Sequence, residues 1–214
     1  MRWVTTALTV AAWLLAGPAG GADTGACDRP FFDGRFELKW DTGTKSYHGA
    51  FRDAGVWVGN DFDITTVEAR MIEKIRVYSG PEWPNGKWDG FRLGVYGFAR
   101  YPGLLIWPTS GVPLQVRGKT TTFAWNDFNV GWVLPVGFSG FVAAIEQTQA
   151  YPNNDPFCVD DNPTALGHSW QKSRSWWDPF SGFGPYKNLM IRVVVATVPG
   201  VEPFSLGRVK ALYW

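Results

Sequence analysis

Strong charge of either sign is missing from this chain. Its 214 residues carry 20 Lys and Arg against 19 Asp and Glu, a net charge of +1, so no basic field attracts nucleic acid or an anionic membrane surface. Neither is an expected partner. Histidine and cysteine are scarce, two of each; with so few soft ligands and no H-E-x-x-H run, a zinc centre has little to be built from. The sequence shows no heptads, internal repeats or low-complexity tracts. No stretch beyond the N-terminus approaches the roughly 20 apolar residues that span a bilayer, and no segment carries a convincing helical period.

What is abundant points one way. A hydrophobic share of 45% with 18% charged residues describes a single globular domain with a substantial core. The 25 Gly, 15 Pro and 13 Trp suit short strands joined by turns. The expected fold is all-β, a single antiparallel β-sandwich of jelly-roll type.

The N-terminus reads as a leader. Arg2 supplies a positive start, Val4 to Leu15 an apolar segment, and Ala16-Gly17-Pro18-Ala19-Gly20-Gly21-Ala22 a small-residue cleavage region. The expected division is a signal peptide over 1–22, an arm over 23–35, the sandwich over 36–198 and a tail over 199–214. The apolar segment is too short for a membrane anchor, so the mature chain is expected outside the cell or on its surface, with no membrane span. A lipid anchor on Cys27 fits poorly, because Thr24 stands where such a signal places Leu. Export permits Cys27 and Cys158 to pair. Such a bridge would close more than half the chain, contributing about 4 to 5 kcal/mol in the chain-entropy model; two unpaired thiols are the alternative.

Alternation marks the strands. Phe36-Glu37-Leu38-Lys39-Trp40 alternates apolar and charged, and Gly55 to Phe62 follows as a second candidate. Met71 to Tyr78 scores as an amphipathic helix, but its β-branched content favours a strand. Phe91, Leu93 and Val95 face a core, with Arg92, Gly94 and Tyr96 on the accessible side. Ser79–Gly90 and Tyr101–Gly111 read as loops. Thr120 to Trp125 and Val130 to Val136 read as two strands, the second near an edge because of Pro135. Gly140 to Glu146 is apolar on both faces and so buried between layers. Thr148–Pro185 is the longest irregular region, with a short strand at Ser173 to Trp176. Leu189 to Thr197, rich in valine, is the expected central strand. Arg192 within it needs an acid partner or an exit to solvent.

Several of these segments, Trp40-Asp41-Thr42-Gly43-Thr44, Val58-Gly59-Asn60-Asp61-Phe62, Ile75-Arg76-Val77-Tyr78, Gly140-Phe141-Val142-Ala143, Ser173-Arg174-Ser175-Trp176 and Asn188-Leu189-Met190-Ile191-Arg192, together resemble a β-sandwich domain family of secreted bacterial proteins. That family often occurs in proteins with C-terminal sorting or anchoring segments. The resemblance spans about 36–197; it implies a fold and a location and no functional residue. A full-length sorting domain does not follow Thr197, although Phe204–Trp214 is similar to short tails of exported bacterial proteins. So apolar a tail is expected to dock on its own domain, to pair with another subunit in self-assembly, or to serve as an export signal.

No catalytic residue is expected. Gly167-His168-Ser169-Trp170-Gln171 lacks the closing glycine of a nucleophile elbow, His48 belongs to no motif, and Glu146 is a lone acid on an apolar strand. Asn153, Asn154, Asp155, Asp160 and Asp161 gather hard oxygen ligands suited to structural calcium, with Asp155, Asp160 and Asp161 as the candidate metal residues. They suit Asx turns better. The richest signal is aromatic: Trp83, Trp88, Trp107, Trp170, Trp176 and Trp177 fall in expected loops or at their edges, where a ring can stack on a sugar or anchor a surface protein. Rings closing the ends of the core are the competing reading. The function expected is binding or assembly at the cell surface or outside it, with a lectin-like carbohydrate module as the alternative and a glycosidase or esterase behind both.

Overall fold

The computed structural model describes residues 34–65, 70–80, 90–116, 122–162, 167–173, 175–182 and 188–197. No described residue is helical. The first half of the chain supplies β1 (Arg35–Leu38), β2 (Tyr47–Gly49), β3 (Trp57–Asp63), β4 (Met71–Ser79), β5 (Phe91–Phe98), β6 (Pro102–Trp107) and β7 (Leu114–Val116). The second half supplies β8 (Ala124–Val133), β9 (Gly140–Gln147), β10 (Phe157–Asp160), β11 (Ser169–Ser173), β12 (Trp176–Pro179), β13 (Asn188–Leu189) and β14 (Ile191–Ala196). They form two antiparallel sheets packed face to face, the sandwich of jelly-roll type expected from the sequence.

The first sheet runs β1-β14-β4-β10-β13, with β2 on β10 and β8 on β4; the second runs β12-β11-β3-β9-β5-β6, with β7 on β5. Period-two alternation sends Ile75 and Val77 of β4 and Ile191, Val193 and Val195 of β14 inward, and an irregularity in the ladder between Ile72 and Lys74 brings Ile72 to the same side. They meet Phe91, Leu93 and Val95 of β5 and Phe141, Ala143 and Ile145 of β9 in one continuous core. Each large side chain so buried contributes roughly 1.5 to 3 kcal/mol. One polar clamp crosses this core. Asn60 of β3 donates through Nδ2 to the carbonyls of Leu189 and Ile191 at 2.9 and 3.0 Å, and Ser169 Oγ accepts from the Leu189 amide at 3.1 Å while donating to Asn60 Oδ1 at 2.8 Å.

β14 lies between β1 and β4 and is buried along its length. The Arg192 question resolves as acid partners. Its Nε donates to Asp41 at 3.0 Å, its Nη2 to Asp41 Oδ1 at 2.5 Å and its Nη1 to Glu37 at 3.1 Å, while Trp125 covers the guanidinium at 4.1 Å. Burial opposes the charge, yet hydrogen bonds and charge from Asp41 and Glu37 outweigh it and hold the guanidinium pKa above its ordinary value. Arg76 stands directly across on β4 and is neutralised in turn by Asp127 and Glu37.

One segment follows the preferred of its two sequence readings, and three differ from theirs. Met71–Ser79 is a strand, the preferred of its two readings. The expected loop Tyr101–Gly111 contains β6, because the prolines at 102 and 108 lie at or just beyond its ends and leave its ladder intact. Residues expected to make two strands around Trp125 and Val130 form the single strand β8, which among the described residues pairs with β4 alone. The region expected to be irregular holds β10, β11 and β12, and Ser173 and Trp176, expected within one short strand, are instead the closing pair of the β11–β12 hairpin.

Candidate binding face

Cross-strand register builds the outer face of the second sheet. Lys172, Trp57, Glu146 and Arg92 lie in one row across β11, β3, β9 and β5. The next row holds Trp170, Gly59, Ala144 and Gly94, small residues at its centre. Asp61, Val142 and Tyr96 make the third.

The small middle row leaves a trough, and large rings fold into it from both sides. A Cβ on Gly94 would stand 2.8 Å from Leu105 Cδ1 and 3.4 Å from the Trp57 ring, and one on Gly59 would stand 2.6 Å from the Ala143 carbonyl oxygen. Trp57 (7% exposed), Tyr96 (4%) and Trp170 (7%) with Val142 and Ala144 form an aromatic floor, against which Phe98, Leu105 and Trp177 pack. Trp57 meets Tyr96 edge-on at 5.4 Å.

Two rings stand above this floor. Trp177 is half-buried and meets Tyr96 edge-on at 5.0 Å; Tyr101, 59% exposed, meets Trp170 edge-on at 6.0 Å. Edge-to-face contact fixes their planes at a modest gain of about 0.5 to 1.5 kcal/mol each. The Nε1–H of Trp177 is buried and has no hydrogen-bond partner. Lys172 lies over both Tyr96 and Trp177, at 5.3 and 5.7 Å, and Arg100 over Tyr101 at 5.7 Å. Glu146 is held by Arg92 at 3.2 Å. The Tyr96 hydroxyl is pushed far up in pKa, first by burial and then by the charge of Glu146, so it stays a neutral donor.

Asp61 anchors one end of the face. Its Oδ1 accepts from Trp170 Nε1 at 2.6 Å, its Oδ2 is 3.0 Å from His168 Nδ1, and its carbonyl accepts from Trp40 Nε1 at 2.6 Å. The Trp40 and His168 rings stack at 3.5 Å. His168 is thereby oriented, but the neighbouring Ser169 does not accompany it, since it points to the opposite face and is engaged by Asn60 and Leu189.

The residues singled out from the sequence are dispersed. Trp170 and Trp177 share the face just described, although both lie on strands, β11 and β12, and Trp170 is buried. Trp176 is 78% exposed but alternates with Trp177, so it points away from this face. Trp107 ends β6 and packs against the interior core. Trp83 and Trp88 lie outside the described residues, as does Cys27; Cys158 is buried, and burial pushes its thiol up to about 12. The three aspartates stand apart in role. Asp155 accepts from the Gly90 amide at 2.7 Å, Asp160 from the amide and hydroxyl of Thr42 and the amide of Asn162, and Asp161 from Ser46 Oγ at 3.0 Å. Among the described residues no three His, Cys, Asp or Glu side chains converge as a metal would need. Trp57, Tyr96, Tyr101, Arg100 and Lys172 were not singled out from the sequence. The one available signal was Tyr96 and Arg92 on the accessible side of β5.

No protein-family model matches the chain, and no curated protein matches it. Among solved structures it is similar to a clostridial cysteine protease, Cwp84, after propeptide cleavage, at TM-score 0.54 and 14% identity, over 80% of this chain and 42% of that one. A second structure comprises the cysteine protease and lectin-like domains of Cwp84, a surface layer associated protein of Clostridium difficile; it aligns at TM-score 0.49 and 14% identity over 80% and 37% of the two chains. This chain therefore spans less than half the length of either, and the likeness is one of fold.

Proposed function

We propose that this chain is an exported, non-catalytic β-sandwich that binds a saccharide on the outer face of its second sheet. The observation that carries the reading is the pair of surface rings, Trp177 and Tyr101, each fixed edge-on by a buried ring beneath it. Sugars present flat arrays of C–H groups flanked by hydroxyls, and an oriented aromatic ring with donors beside it matches both. The orphaned Trp177 Nε1–H adds a buried donor with no partner of its own. A non-catalytic role is supported by the structural use of the candidate reactive groups among the described residues: Ser169 in the core clamp, Glu146 with Arg92, Asp61 with the Trp170 indole N–H and the His168 ring.

Screening the folded protein on a glycan array, followed by calorimetry on the best ligand, tests this. Trp177→Ala and Tyr101→Ala are each expected to weaken binding about tenfold, the worth of one stacked ring, while Trp176→Ala leaves it unchanged. A ligand bound equally by all three variants, each confirmed folded by its unfolding midpoint, would refute the assignment.

A further inference from the structure

The charges at this face narrow the class of sugar. Resting on the saccharide reading, we propose that the ligand is an acidic glycan, one whose sugars carry carboxylates, with Lys172 and Arg100 as the groups that select it.

Besides Arg92, which is paired with Glu146, two cations lie at this face, and neither is neutralised by an ion pair. Lys172 shares its row with Trp57 and Glu146 and pairs across the hairpin with Trp177, yet Glu146 is taken by Arg92. Among the described residues neither Lys172 nor Arg100 has an ion-pair partner, whereas Arg35, Lys74, Arg76, Arg92 and Arg192 each have one. What Lys172 and Arg100 do have is aromatic rings beneath them. A ring face holds a cation without satisfying its hydrogen-bond donors, so both side chains are positioned while their N–H groups remain available to an incoming oxyanion.

The acids of the face do not cancel this. Asp61 is buried beneath Trp170 and His168, Glu146 is buried against its arginine, and Asp63, exposed at the end of β3, accepts from the Thr65 amide and hydroxyl. What remains beside the two surface rings is therefore chiefly cationic: the Lys172 ammonium and the Arg100 guanidinium. A neutral sugar would stack on the rings and leave both cations idle. A uronate residue stacks equally well and places its carboxylate where an ammonium or guanidinium can donate to it, a charge-assisted contact about twice as strong as a neutral one.

The test uses short oligogalacturonates, oligoglucuronates and oligomannuronates, each beside its methyl ester, which keeps the sugar and removes the charge. The whole chain is expected to bind at least one acid form about tenfold or more tightly than its ester, with affinity falling as salt rises. Lys172→Gln and Arg100→Gln should each weaken binding of the acid more than of its ester, so that the ratio between the two narrows, and Lys172→Arg should restore it. Arg100 is exposed, so its variant reports on the ligand even if Lys172→Gln disturbs the hairpin. Equal binding of acids and esters would overturn the preference and leave the saccharide reading intact. A preference that survives in the Lys172→Gln/Arg100→Gln double variant would overturn the assignment to these residues. Binding of no saccharide, acidic or neutral, would overturn this inference together with the reading beneath it.

Discussion

Replacing Asp41 with asparagine keeps the shape of the side chain and removes the charge that holds Arg192. The Asp41 side chain has no solvent exposure and that of Arg192 has 10%, so water can do little to compensate. Removing one partner of a buried pair costs about 3 to 5 kcal/mol, because the other charge is left uncompensated. Arg192 would still donate to Glu37 and lie under Trp125, which places the expected loss at the low end, about 3 kcal/mol. The asparagine keeps one oxygen able to accept from Arg192 but turns an NH2 group toward it in place of the second carboxylate oxygen, so it replaces the contact only in part and without its charge. In urea the unfolding midpoint should fall by about 1 to 2 M with an unchanged slope. Arg35→Gln is the control, since the Arg35 side chain is 48% exposed against 10% for Arg192 and its contact with Glu73 should be worth about 1 kcal/mol. Replacing both partners, Asp41→Leu with Arg192→Met, should cost less than Asp41→Asn alone, because no unpaired charge remains. A midpoint for Asp41→Asn matching that of Arg35→Gln, or a double variant worse than the sum of its singles, would refute the reasoning.

Two further outcomes follow from local geometry. Gly59→Ala should destabilise the fold by about 1 to 3 kcal/mol or prevent folding, since the new Cβ would meet the Ala143 carbonyl oxygen at 2.6 Å and Ala144 Cβ at 2.7 Å, backbone and short side chain that cannot swing aside; a midpoint equal to the parent in thermal unfolding would contradict this. His48 has its pKa lowered from 6.5, first by burial and then by Lys45. Above 6.5 both folded and unfolded chains hold it neutral; as pH falls through 6.5 the unfolded chain takes the proton first, so this contribution to stability declines down to the folded pKa. An NMR titration should give His48 a midpoint below 6.5, and a midpoint at or above that value would sink the argument.

The strands with the clearest sequence signal were those whose residues speak for themselves. Gly140 to Gln147 and Ile191 to Ala196 are mostly apolar and buried along their length, each lying between two neighbouring strands, with the rings of Trp57, Tyr96 and Trp170 packed on the outer side of β9, and Met71 to Ser79 resolved toward strand through its β-branched residues. β6, β11 and β12 were obscured by turn residues: prolines at 102 and 108 frame one, and Gly167 and Gly182 flank the other two. A short strand between such residues looks like loop until its partner is known. The binding face was hidden for a related reason. Trp170 and Trp177 stood out as aromatics, but the row joining Lys172 to Trp57, Glu146 and Arg92 draws on four separate parts of the chain. Only register assembles it. Arg192 posed a question that composition could frame and only the position of Asp41 could answer.

The trough formed by Gly59, Ala144 and Gly94 bears on how a ligand is met. Its depth is set by backbone, and the rings seated in it have lost their rotamer freedom to folding itself. On the proposed reading, a saccharide arriving at Trp177 and Tyr101 would meet rings already braced edge-on by that floor, and the entropy of fixing side chains, about 0.5 to 1.5 kcal/mol for each one immobilised at an ordinary interface, would fall largely on the fold and not on the complex.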